Sequence, residues 1–173
     1  MSRAPHTGPT TSESAWDYPR PPAVDAAGGE DVRIVLGGVE VARTDQALRV
    51  LETSHPPTYY LPAGSFASCV VQPAAGRRTV CEYKGVATYW DLVVEGTRFV
   101  RVGWSYDDPA IGFRALRGHI ALTPGAIDRA TGPDDGCFVD GERVLPQEGG
   151  FYGGWITSRV TGPFKGGPGT LGW

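Results

Sequence analysis

The densest run of chemically capable side chains is Cys81-Glu82-Tyr83-Lys84-Gly85, closely followed by Tyr89-Trp90. It puts a thiol, a carboxylate, an amine and three aromatic rings within ten residues. A thiol becomes a strong nucleophile where a cation or a base lowers its pKa, and His55 and Lys165 are the candidates to do this from elsewhere in the fold. Read as a strand, the run places Cys81 and Tyr83 on one face and Glu82 and Lys84 on the other, so thiol and amine need not cooperate directly. The plainer alternative is a Cys81 that packs as a small hydrophobe.

Lys84 has its own case. The chain carries fourteen arginines and only two lysines, Lys84 and Lys165, each between an aromatic residue and a glycine. Where arginine serves as the general surface cation, a retained lysine marks a place for a compact, titratable amine. Partial desolvation would suit Lys84 to the role of base, Schiff-base nucleophile or anion anchor; the alternative is a strand-end lysine paired with Glu82. Gly85 after it suggests close approach of another backbone or a ligand. His55 lies in Ser54-His55-Pro56-Pro57, where the following proline holds it extended and aims its ring. That suits acid/base or anion-binding work, with a loop-bonding structural histidine as the alternative.

The aromatics Tyr59, Tyr60, Tyr89, Trp90, Trp104, Tyr106, Tyr152 and Trp155 exceed what a small core needs, and each adjacent pair puts one ring on each face of a sheet. The expected catalytic set is therefore Lys84, His55 and Cys81, with Tyr60 or Tyr89 as proton donor or orienter. Tyr59, Glu82, Trp90, Trp104, Tyr106, Tyr152, Trp155 and Lys165 complete an aromatic-lined ligand pocket. No spacing of His, Cys, Asp and Glu repeats a metal-ligand pattern, so neither metal nor cofactor is expected.

The elements that must position these residues read as short strands. Glycine and proline together make up 40 of 173 residues, which disfavours long helices. Val32–Leu36 and Val39–Arg43 flank Gly37-Gly38 as a hairpin. Further strands are expected at Tyr59–Leu61, Ser68–Gln72, Thr79–Tyr83, Ala87–Val94, Arg98–Ser105 and His119–Thr123. Glu95-Gly96 forms a turn, and a late hairpin surrounds Asp140-Gly141. Thr44 caps one short helix from Asp45 to about Glu52, with Leu48 and Leu51 on one face. The expected fold is mainly β: a compact single-domain antiparallel sheet or barrel-like fold with one short helix. Residues 1–30 form a Pro-rich or disordered lead-in, with Met1–Ser14 as its tail and Trp16–Pro22 strapped across the surface. Residues 31–173 form the domain, which ends in a Gly-rich strap.

A net charge of -3 with interspersed signs leaves no electrostatic footprint for nucleic acid. No apolar run of membrane-spanning length appears, and Cys69, Cys81 and Cys137 form no C-x-x-C pair. A cytoplasmic protein with free thiols is expected.

Three blocks stand out together: Glu52–Tyr60, Cys81–Trp90 and Trp104–Pro109, joined by Gly150–Trp155 and Gly162–Gly167. They closely resemble the bacterial domain-of-unknown-function family 427, often labelled nucleotidyltransferase-like, over roughly Val32 to Trp173. The resemblance implies a compact β-rich fold and no settled activity, so no functional residue carries over. The label fails a chemical check: nucleotidyl transfer needs carboxylates converging on Mg²⁺. Asp107-Asp108 and Asp134-Asp135 read instead as solvated turn residues. Gly162–Thr170 is no phosphate loop, because its lysine comes too early and no helix follows.

The expectation is a cofactor-independent small-molecule enzyme whose partner is a small, planar or anionic organic ligand. A non-catalytic binding module using the same pocket is the alternative, and a protein-interaction domain a weaker one. Neither nucleic acid nor membrane is expected as a partner, and a homodimer remains open.

Overall fold

Period-two alternation sorts adjacent residues to opposite faces, and the chain uses it throughout. The computed structural model describes residues 12–128, 132–150 and 152–173. Its strands are β1 (Glu13–Ser14), β2 (Ala23–Ala26), β3 (Val32–Leu36), β4 (Val39–Thr44), β5 (Leu48–Leu51), β6 (Thr58–Pro62), β7 (Val70–Pro73) and β8 (Thr79–Cys81). They continue as β9 (Gly85–Val94), β10 (Thr97–Ser105), β11 (His119–Leu122), β12 (Gly136–Val139), β13 (Glu142–Arg143), β14 (Leu145–Pro146), β15 (Trp155–Ile156) and β16 (Val160–Thr161). The longest 3-10 helix spans Ile111–Leu116, and a short α-helix, α1, spans Pro124–Asp128.

The large sheet runs β2-β5-β6-β11-β10-β9-β7, with β8 beside the other half of β9, and every neighbouring pair is antiparallel. The path is open, so the fold is antiparallel β without a closed barrel. A smaller sheet, β13-β12-β3-β4, packs on one face. Val32, Ile34, Leu36 and Val41 from the small sheet meet Tyr59, Leu61, Leu92 and Leu122 from the large one, with Trp155 fully buried among them. Both central residues of the three two-residue turns (Gly37-Gly38, Glu95-Gly96 and Asp140-Gly141) have φ between 48° and 83°. That is the primed-turn geometry that matches strand twist, which explains why these hairpins are legible.

Two expectations fail here. Asp45–Glu52 is not helical: Leu48–Leu51 is strand β5, laddered between β2 and β6. Thr44 caps only a turn, its Oγ1 accepting from Gln46 N at 3.0 Å. Two flanking ladders outweigh a weak local helix preference, and alternation sends Val50 inward while Arg49 meets Asp25 and Glu13. Asp135 is no solvated turn residue either. It is 1% exposed and accepts from Gly37 N and Gly38 N, both at 2.9 Å, so it pins the β3–β4 turn. β2, at Ala23–Ala26, pairs with β5 at the edge of the large sheet.

The expected tail Met1–Ser14 lies outside the described residues except at its end, where β1 pairs in parallel with β16. The Trp16–Pro22 segment is strapped to the domain: Trp16 Nε1 donates to Pro163 O at 2.9 Å, and its ring meets Trp173 edge-on at 5.3 Å.

Candidate functional site

The face of the large sheet turned away from the small one gathers several of the chemically capable side chains. Register places Tyr60 of β6, Ala121 of β11, Trp104 of β10 and Tyr89 of β9 in one row, so their side chains emerge on one face. The Ala121 methyl between Tyr60 and Trp104 leaves room for their rings to meet edge-on, 6.3 Å apart at 84°. Trp104 Nε1 donates to the Tyr60 hydroxyl at 3.3 Å. Tyr106, two residues beyond Trp104, brings its ring within 6.4 Å of Tyr60. The Ile111–Leu116 turn sets Phe113 and Leu116 on this face, since residues three apart eclipse in a 3-10 helix.

Cys81 and Lys84 reach the same place by a route that differs from the expected strand. Cys81 pairs with Gly85, so residues 82–84 form a tight turn between β8 and β9. This turn swings Lys84 back over the aromatic face, with Nζ 5.9 Å from the ring centre of Tyr106 and 5.8 Å from that of Phe113. Both lie at the outer edge of cation–π range. Gly85 has φ +108°, and a Cβ there would press on the Asp108 carbonyl; beside it, Ala110 N donates to Lys84 O at 3.0 Å. The close approach expected at Gly85 is therefore of backbone. Cys81 packs against the same cluster as Tyr60 and Tyr106, close enough to Tyr106 for the two groups to interact electrostatically.

Burial pushes the phenols of Tyr60 and Tyr106 well above their ordinary value; Cys81 adds to both and Tyr106 adds to that of Tyr60, while Tyr60 works against the rise at Tyr106. Both stay protonated through neutral pH. Tyr89 belongs to the row but is tied down, its hydroxyl 2.7 Å from Thr79 Oγ1 and its ring under the Arg101 guanidinium at 4.1 Å.

His55 is not part of this group. Gln147 Nε2 lies 3.0 Å from its Nδ1 and 2.7 Å from Lys165 O. An amide nitrogen only donates, so Nδ1 accepts and the ring proton sits on Nε2, 3.8 Å from the Glu52 carboxylate. The ring of Tyr152 lies 5.3 Å away. Burial lowers the His55 pKa; Glu52 opposes this, while Lys165 and Arg20 add to it. The Lys165 ammonium donates to Trp173 O at 3.2 Å and serves the strap.

The remaining expected site residues scatter. Tyr59 and Trp155 stack at 4.8 Å inside the opposite core. Trp90 emerges on that other face and donates to Ser105 Oγ at 2.8 Å. Glu82 is exposed in the turn. Phe113 joins the aromatic face, and Glu52, Ser54 and Gln147 make up the His55 corner; of these only Phe113, paired at i+3 with Leu116, carries a local signal. Among the described residues no three His, Cys, Asp or Glu side chains gather as a metal site. No helix among them is long and apolar enough to cross a membrane. Two surface concavities, of about 460 and 250 Å³, lie elsewhere, one around Arg33, Phe138 and Arg143 and one around Glu13, Glu30, Arg49 and Arg159.

A family model described as a domain of unknown function (DUF427) matches residues 26–132, well over half of the chain. No curated protein matches it.

Proposed function

The chain belongs to the DUF427 family, whose description names no activity, and on that premise we propose that the Tyr60–Trp104–Tyr106 face is the active site of a cofactor-independent small-molecule enzyme. One observation carries the reading: a thiol, two oriented hydroxyls and an ammonium converge from four separate elements on one aromatic face. Cys81 is the nucleophile. Tyr106 holds the sulfur through its hydroxyl, Tyr60 orients Tyr106, and Lys84 pairs with the anionic group of a small planar substrate. Thiol, hydroxyl and ammonium supply nucleophile, donor and counter-charge, so this chemistry needs no cofactor. The free thiols fit a cytoplasmic protein.

A binding module without turnover is the second reading. It draws on the two phenols nearest the sulfur, which burial holds protonated, so they orient a ligand without moving protons. Native mass spectrometry and thermal shift with planar carboxylates, on wild type and on Lys84→Met, Cys81→Ala and Tyr106→Phe, test both. An enzyme loses turnover in Cys81→Ala while keeping affinity, whereas a binder loses only affinity, chiefly in Lys84→Met. If no carboxylate binds and all variants melt like wild type, both readings fail.

A further inference from the structure

The loop from Gln147 to Gly154 is closed at its base by the β14–β15 pair and by Gln147 N donating to Gly154 O at 3.2 Å. Near its far end it lies directly on the aromatic face: a Cβ on Gly153 would collide with the Trp104 indole. The loop is held by the corner Glu52–His55. Gln147 bridges His55 Nδ1 and Lys165 O, the Tyr152 ring lies against that of His55, and Lys165 N donates to Ser54 O at 2.8 Å. The same corner takes the N-terminal strap, with Ser54 N donating to Ala15 O at 3.0 Å and Thr53 N to Pro19 O at 3.1 Å.

Ser54 is the strained centre of this corner. It is fully buried in the left-handed region, at φ 70°, with a hydroxyl that has no partner among the described residues. Non-glycine residues persist in such conformations only where their surroundings enforce them, and strain of this kind collects at switches.

We propose that the Glu52–His55 corner is a proton-operated clasp: uptake of a proton by His55 releases Gln147 and lifts Tyr152–Gly154 off Trp104, opening the aromatic face. This rests on the reading of that face as the site. The charge balance is explicit. Glu52 faces Nε2 and favours the imidazolium, Lys165 and Arg20 disfavour it, and Gln147 and Tyr152 add no charge. In the closed state Nδ1 must accept from Gln147. A proton there turns two donors on each other and breaks the bridge.

Hydrogen exchange read by mass spectrometry, corrected for intrinsic rates, tests the clasp on the intact chain at pH 7.5 and 5.0. The wild type is expected to exchange about tenfold faster across 147–150 and 152–154 at pH 5.0, with Trp104 oxidised correspondingly faster in radical footprinting. His55→Asn keeps an acceptor that takes no proton and should stay closed at both pH values. His119→Asn should respond like wild type, and Gln147→Leu should be open at both. No acid response in the wild type, an equal response in His55→Asn, or a closed Gln147→Leu at pH 7.5 would each overturn the proposal. None of these readouts uses a ligand, so failure of the clasp and failure of the site are separately visible.

Discussion

Tyr59 and Tyr60 are neighbours in sequence and opposites in fate. Tyr59 turns toward the small sheet, where it stacks on Trp155 and donates to Glu30, and where a whole second layer of strands covers it. Tyr60 turns the other way, onto a face covered, among the described residues, by one 3-10 turn, the 82–84 hairpin tip and a glycine-rich loop. The first face surrounds its Tyr59–Trp155 stack mainly with aliphatic side chains from two sheets. The second gathers phenol and indole rings and the Cys81 thiol beside Val50, Leu116 and Ala121, under turns and a loop rather than a sheet. The alternation that builds a core on one side thus builds a chemical surface on the other, and what lies on top separates the two roles.

The sharpest test of that contrast removes the anchor of the well-covered face. Trp155→Ala should cost about 3–5 kcal/mol in urea unfolding, because no neighbouring strand can collapse into the void. A cost comparable to a surface change would mean the two faces are equally plastic. Next, Gly153→Ala forces a methyl into Trp104. It should cost about 1–3 kcal/mol if the loop is held down, and almost nothing if the loop simply lifts away, with Trp104 fluorescence reporting which occurs. Smaller still, Tyr60→Phe removes the acceptor for Trp104 Nε1 and should cost about 1–2 kcal/mol. The matching Tyr59→Phe tests whether the hydroxyl facing Glu30 matters as much on the covered side.

The smallest effect is the dependence on pH. The His55 pKa lies below its ordinary value of 6.5 in the folded chain. Above that value the residue is neutral folded or unfolded and contributes no slope. As pH falls below it, the unfolded chain takes up the proton first, so stability declines toward the lower folded pKa. Thermal melts from pH 8 to 5 should show this decline in the wild type, and a shallower one in His55→Asn.

The parts of this contrast that were legible in the sequence are those written locally. Gly37-Gly38, Glu95-Gly96 and Asp140-Gly141 each announce a turn, and Tyr-Tyr and Tyr-Trp adjacency announces opposite faces. Leu48–Leu51 misled because an i, i+3 pair of leucines fits a helix face, while the ladders that make it a strand come from residues 23–26 and 58–60. The 82–84 turn was hidden because Glu-Tyr-Lys contains no turn-forming residue and Gly85 follows it. That single miss separated Cys81 from Lys84 on paper, whereas the fold brings both to Tyr106. His55 was noticed for its proline, but its partner Gln147 lies 92 residues away. No local pattern encodes a contact of that range.

The clasp also fixes when the molecule can be finished. Nearly all of the large sheet and its aromatic face are made by residues 23–122, but the loop over Trp104 and the strand that receives Glu13–Ser14 arrive with residues 147–161. During synthesis from the N-terminal end, a chain has everything needed to build that face well before it has the means to cover it. Newly made protein therefore passes through an interval in which Trp104 still lacks the loop that lies on it in the finished molecule, and an indole left uncovered is what a nascent chain most needs kept from its neighbours.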